Sequence, residues 1–170
     1  MQGIFEENLH KYLEIESILN ELFRETDYCV KHCILEPDHE KFPNPGCCVD
    51  RYYQKYDLDH PAFELLKTRR ELLFGSPETL SRIKRISPCE YHTLAGCMLK
   101  THKSPICLSF FCRQGIEWLR DRHGVMAYDY LGVHYALEWI LTGDMKGSQY
   151  EEFKTSCLNM VEKINKTGLP

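Results

Sequence analysis

Nine cysteines, at positions 29, 33, 47, 48, 89, 97, 107, 112 and 157, are the residues of this 170-residue chain whose number and spacing could do chemistry. Eight fall into two groups: an early C-x3-C-x13-C-C (Cys29, Cys33, Cys47, Cys48) and a late C-x7-C-x9-C-x4-C (Cys89, Cys97, Cys107, Cys112). Soft metals such as zinc, and iron in sulfide clusters, prefer thiolate donors and usually take four. Two groups of four can supply one shared centre or two centres, and binding would then contribute directly to folding. Adjacent Cys47 and Cys48 ask for a bend or for two centres, because neighbouring side chains of an extended strand point opposite ways. Spacing alone leaves open two sites, one site, or one site with structural or redox-active thiols left over.

The ninth cysteine reads differently. Cys157 lies on the helical stripe Tyr150, Phe153, Cys157, Met160, Val161 and Ile164, which marks it as core. His32, His92 and His102 each sit within a few residues of a cysteine and could complete a site. With eight thiols at hand they read as surface groups or as hydrogen-bond partners of a ligand sulfur. His134 and Glu138, four apart and on a face with Tyr130, are a candidate acid–base or metal pair; a buried pair satisfied by its own hydrogen bond is the plainer reading. No G-x-G-x-x-G, P-loop, H-E-x-x-H or C-x-x-C occurs in the chain. That weakens an enzyme reading without closing it.

Compartment decides how thiols are read. The N-terminus carries acids at short intervals where a signal peptide needs a basic start and a continuous apolar run. The longest apolar patches fall far short of the ~20 residues that cross a bilayer. The chain reads as soluble and cytoplasmic, with no membrane partner, and in a reducing cytosol clustered cysteines mean metal or catalysis before disulfides. Net charge is −4, with two bases against seven acids over residues 1–28 and twelve against ten over 29–112. The basic clusters KTRR (67–70) and RIKR (82–85) could attract an anion, but an acidic chain without a reading motif argues against nucleic acid.

These residues need elements to position them. The length suits a single domain over 1–170 able to bury a core, and 43% hydrophobic residues with no low-complexity tract predict a chain folded throughout. Apolar spacing from Phe5 predicts a helical N-terminal segment over 4–28 that can run on towards Cys33, which would place Cys29 and Cys33 on one face. Residues 34–60, with three prolines and a glycine, read as a long ordered loop that something must hold. A cap, an early proline and a terminating glycine predict a helix at about 60–74, and Ser76 caps a shorter one. Residues 87–113 read as a second irregular segment. Two helices separated near Gly124 and a last helix at about 148–165 complete an all-α fold. It is a single helical domain, with a cysteine-rich metal-binding centre of long irregular loops over 29–113 and C-terminal helices over 114–167.

The stretch PCEYHTLAGCMLKTHKSPICLSFFC, residues 88–112, resembles the second half of the zinc- or iron-chelating cysteine-cluster family (YkgJ-like). Cys47 and Cys48 match that family's Cys-Cys pair, Cys89 follows Pro88, Cys97 follows Gly96, and Cys107 comes shortly after Pro105. The likeness covers about residues 29–112. It departs where 13 residues separate Cys33 from Cys47, and where Ser104 stands in place of the family's arginine before Pro105. The resemblance implies metal chelation, and some members of such a family carry a four-iron, four-sulfur cluster.

The expectation is a metal protein ligated by Cys29, Cys33, Cys47, Cys48, Cys89, Cys97, Cys107 and Cys112. An iron–sulfur cluster, 4Fe-4S favoured, would serve electron transfer, redox sensing or an unidentified reaction, with a redox or protein partner. Thiolates scattered over loops favour the cluster, since zinc sites more often show two tight cysteine pairs. The alternative is a zinc-binding structural or interaction module without catalysis, and a disulfide-linked scaffold is the third. Cys107 and Cys112 are expected on one loop-to-helix turn, with Ile106, Leu108, Phe110 and Phe111 packing it onto the core.

Overall fold

A computed structural model describes residues 2–26, 28, 50–81, 88–93, 96–126 and 128–167. In chain order the elements are α1 (Gln2–Thr26), a single-turn 3-10 helix (Tyr52–Gln54), α2 (Pro61–Phe74), α3 (Pro77–Leu80), β1 (His92–Thr93), β2 (Gly96–Cys97), α4 (Pro105–Ser109), α5 (Arg113–His123), α6 (Tyr130–Thr142) and α7 (Gly147–Thr167). The chain is mostly helical, in accord with the all-α expectation. None of its described helices is long and apolar enough to cross a membrane.

Helix α1 is built on one apolar stripe. Leu9, Tyr12, Ile15, Leu19 and Leu22 recur at steps of three and four and are all buried. That stripe packs against α6 and α7, while α5 lies on α7 and α4 on α6. The main core fills the space between them, with Leu137, Leu141, Cys157 and Ile164 contributed from the C-terminal half. The expected stripe of the last helix holds: Tyr150, Cys157, Val161 and Ile164 are buried. Asn8 of α1 donates to the Leu141 carbonyl at 3.3 Å, satisfying an acceptor in the last turn of α6.

Helix ends follow their capping residues. His60 Nδ1 accepts from the Ala62 amide ahead of Pro61, and Gly75, at φ 89°, ends α2. Ser76 caps α3 as expected, but α3 lasts only four residues, and residues 82–87 lie outside those described. Gly124 in the left-handed region closes α5. The next helix starts at Tyr130, later than the sequence pattern indicates, because Asp129 supplies the cap while Val125 and Tyr128 are drawn into the core. The continuation of α1 towards Cys33 and residues 34–49 of the long loop also lie outside the described residues, while its last part, 50–60, holds the single-turn 3-10 helix.

Residues 87–113, expected to be irregular, hold two ordered pieces. Strands β1 and β2 form an antiparallel hairpin pairing His92 with Cys97 and Thr93 with Gly96. Helix α4 begins because Ser104 caps it and Pro105 takes its first position. Leu108 and Phe111 are buried in the main core, while Ile106 and Phe110 remain half-buried. A second, smaller core of Tyr53, Cys89, Tyr91 and Leu99 stands apart, with Phe74, Leu80, Met98 and Cys107 packed on it.

Candidate metal centre

The small core holds two of the late cysteines. Cys89 comes from the turn before β1, Cys97 from β2 and Cys107 from α4, yet Cys89 and Cys107 share one cluster. Burial pushes the Cys89 thiol up to about 11, with the charges of Cys97 and Glu90 adding to the rise and the Tyr91 and His92 amides opposing it. Burial likewise pushes Cys107 up to about 12; Cys97 and Cys89 raise it further, against the Ser104 hydroxyl and the Arg70 charge. Cys97 is the exposed one, and its thiol lies 3.9 Å from the Leu99 carbonyl.

Two buried carboxylates hold the segments in place. Glu16 of α1, 1% exposed, accepts from the Thr101 hydroxyl, the His102 amide and the Lys103 amide, each at 2.8 Å. Tyr12 donates to the Lys103 carbonyl at 2.6 Å and Asn20 to that of Lys100 at 3.2 Å. This grip holds His102 at φ 58°, a left-handed conformation that a non-glycine residue seldom takes. Glu90 clamps the other side: it accepts from Tyr53 at 2.6 Å and pairs with Arg51 at 3.0 Å, while Arg51 also donates to the Pro88 carbonyl at 2.9 Å. Ser104 joins the two clamps, donating to the Tyr52 carbonyl at 2.7 Å and accepting from the Cys107 amide at 3.3 Å.

Around the thiols are polar groups without counterparts. Arg70 of α2 is 2% exposed, its Nε has no hydrogen-bond partner, and its bond to the Tyr56 hydroxyl is long at 3.5 Å. The guanidinium carbon lies 5.3 Å from the Tyr53 ring centre and 5.9 Å from that of Tyr91. No carboxylate among the described residues pairs with it. His92 is also buried, with neither ring nitrogen bonded, and burial lowers its proton affinity so that it stays neutral. Directly paired residues of an antiparallel hairpin project from the same face, so His92 and Cys97 share one.

The remaining candidates are placed otherwise. Cys29, Cys33, Cys47, Cys48 and His32 lie outside the described residues. Cys112 is the N-cap of α5, its sulfur accepting from the Gly115 amide at 3.4 Å, so it and Cys107 sit on two helices and not on one turn. His102 Nδ1 meets its neighbour Thr101 at 3.2 Å. His134 Nε2 lies 3.3 Å from Glu138 and 3.2 Å from Asp57, a partner the sequence did not suggest. Glu138 also accepts from the amides of Asp57 and Leu58 at 2.8 and 3.1 Å, so the pair anchors the chain entering α2.

A thiol with amide donors acting on it, as Cys89 has, suits a soft ion, because hydrogen bonds to sulfur stabilise its charged form. Among the described residues, however, no group of three His, Cys, Asp or Glu side chains is placed to hold a metal ion. A closed four-ligand shell would have to draw on residues beyond them. The clamps Glu16 and Glu90 and the buried cation Arg70 all escaped sequence reasoning. Lone acids and bases on polar-looking stretches carry no periodic signal that separates a buried clamp from a solvated charge. No family model matches the chain, and no curated protein or solved structure matches it either, so its function has to be argued from its own residues.

Proposed function

We propose that this chain is a cysteine-ligated metal protein carrying an iron–sulfur cluster, 4Fe-4S by preference, for electron transfer, redox sensing or an unidentified reaction. The observation that carries the reading is that Cys89, from the turn before β1, and Cys107, from α4, share one small core, with Cys97 on the neighbouring strand β2. Cys29, Cys33, Cys47 and Cys48 would supply the ligands still needed, and Cys112 serves as a helix cap. The likeness of residues 88–112 to the cysteine-cluster family supports the same ligands.

Such a cluster would supply one-electron chemistry. The chain's own part is to hold and shield it. The Tyr91 and His92 amides act on Cys89, favouring its thiolate, while Tyr53, Tyr91 and Leu99 pack around it. The thiols of Cys89 and Cys107 are protonated at neutral pH, so ligation releases their protons and is favoured by rising pH. Zinc is the second reading, favoured by the clamped, rigid hairpin and loop, which suit the closed shell of a structural zinc site.

The test is iron, acid-labile sulfide and zinc per chain on anaerobically isolated protein. About four iron and four sulfide per chain is the expected result. Zinc without sulfide would replace the cluster by the structural module, and a protein isolated with neither, and taking up neither on reconstitution, would overturn both readings.

A further inference from the structure

Single apolar residues on a surface are ordinary, but a contiguous apolar stripe marks a docking site. Helix α6 carries such a stripe. Its 13 residues include no Lys, Arg or Asp, and its one Glu, Glu138, is fully buried. The positions most open to solvent are Leu131, Gly132, Tyr135 and Trp139, and the three side chains, at steps of four, share one face. Leu131 and Trp139 are each 48% exposed, and the rings of Tyr135 and Trp139 stack with centres 6.4 Å apart. Helix α7, by contrast, meets solvent with Glu151, Glu152, Glu162, Lys163 and Lys166.

Three carboxylates rim the stripe. At its start Asp129 accepts from the Leu131 amide at 3.1 Å, and a Cβ at Gly132 would come within 2.6 Å of its other oxygen, so the glycine leaves room for the carboxylate on the first turn. Asp57 flanks the middle, 3.2 Å from His134 Nε2, and its hydrogen bond and charge raise the Tyr135 phenol above the ordinary value. At the end the Asp144 amide donates to the Trp139 carbonyl at 2.9 Å, and its carboxylate accepts from the Thr142 hydroxyl at 2.7 Å. Among the described residues no lysine or arginine pairs with any of the three. This rim selects the occupant. Packing α6 on itself about a two-fold axis, parallel or antiparallel, sets acid against acid, and anionic headgroups would be repelled in the same way. A cationic partner is complemented along the whole stripe, and a helix matches its four-residue spacing. We propose that the exposed face of α6, with Leu131, Tyr135 and Trp139 inside the rim of Asp57, Asp129 and Asp144, docks a basic amphipathic helix of a partner protein. The surface needs no metal, so it stands independently of the thiols.

The experiment titrates the full-length protein by calorimetry with a synthetic helix of about 14 residues, leucine on one face at i, i+3, i+4, i+7 spacing and lysine elsewhere, and with the same peptide carrying glutamate for lysine. The lysine peptide is expected to bind with a dissociation constant on the order of micromolar, and the glutamate peptide not to bind. Leu131→Ser with Trp139→Ser should weaken binding about 10-fold. Asp129→Asn with Asp144→Asn should do the same while keeping the α6 cap, since asparagine caps as well as aspartate. Leu72→Ser with Leu73→Ser, at exposed leucines of α2, should leave it unchanged. No binding of the lysine peptide, equal binding of the glutamate peptide, or binding indifferent to either α6 pair or weakened equally by the α2 pair overturns the inference. So does sedimentation that shows a dimer dissociated by Leu131→Ser with Trp139→Ser, which would make a second copy the occupant. Adsorption to phosphatidylcholine–phosphatidylglycerol vesicles, lost in that same variant, would overturn it in favour of a membrane. Circular dichroism checks that each variant folds; if the serine pair does not, the asparagine pair and the two peptides decide.

Discussion

Cys157 and Cys107 are both thiols raised by burial to about 12, and chemistry alone does not tell them apart. Their neighbours do. Cys157 is fully buried among main-core side chains, with no other thiol acting on it, whereas Cys107 feels both Cys89 and Cys97. Substituting Cys89 or Cys107 by serine is therefore expected to abolish stoichiometric metal binding, while Cys157→Ala keeps the metal and costs about 1–2 kcal/mol in urea unfolding. Equal metal loss from Cys157→Ala would refute that division. Cys112→Ser should keep both metal and α5, since serine is a strong N-cap and the sulfur it replaces is a weak acceptor. Metal analysis and helicity by circular dichroism check the two halves of that statement.

At the level of elements, the thiol loops are held by helices whose polar residues face inward. Glu16 interrupts an otherwise apolar stripe of α1, and its carboxylate satisfies three donors from residues 101–103. Glu16→Ala is expected to cost about 2–3 kcal/mol, because it strands buried or half-buried donors. Burial raises the Glu16 carboxyl above the ordinary 4.5, outweighing the donors from Lys103, Thr101 and His102. The folded state then holds this proton more tightly than the unfolded chain. Its stabilising contribution is complete below the ordinary value and is lost as pH rises through the raised folded one. Thermal midpoints measured across that acidic window should fall with rising pH in the parent more steeply than in Glu16→Gln. Parallel profiles would show that Glu16 does not carry the dependence.

The molecule as a whole has two cores of unequal size. The main one joins α1, α6 and α7 and needs no metal, and the small one around Tyr53, Cys89, Tyr91 and Leu99 has few apolar members of its own. Regions with few buried apolar contacts open first. Stripping metal from the loaded protein with a chelator is therefore expected to speed amide hydrogen exchange over residues 88–107 while α1, α6 and α7 stay protected. Loss of protection across all helices together would mean that the small core and the large one unfold as a unit. Uniform protection before and after would detach the metal from the fold.

Much of this architecture is legible in the chain. The 3.6-residue apolar periods of α1 and α7, the His60–Pro61 start and Gly75 stop of α2, and the Ser76, Ser104 and Gly124 boundaries are local signals that act through neighbouring backbone groups. Local rules also single out Cys157 as core and the other eight cysteines as the residues with chemistry. What the tertiary structure decided is which thiols meet. Cys89 and Cys107 share the small core although 18 positions separate them, while Cys112, only five positions from Cys107, caps a helix. The clamps Glu16 and Glu90 and the enclosure of Arg70 depend on partners 14 to 87 residues distant, and such pairings leave no period or spacing in the sequence. Burial changes the meaning of a charge: the same arginine that reads as one of a solvated basic run is 2% exposed and faces the rings of Tyr53 and Tyr91.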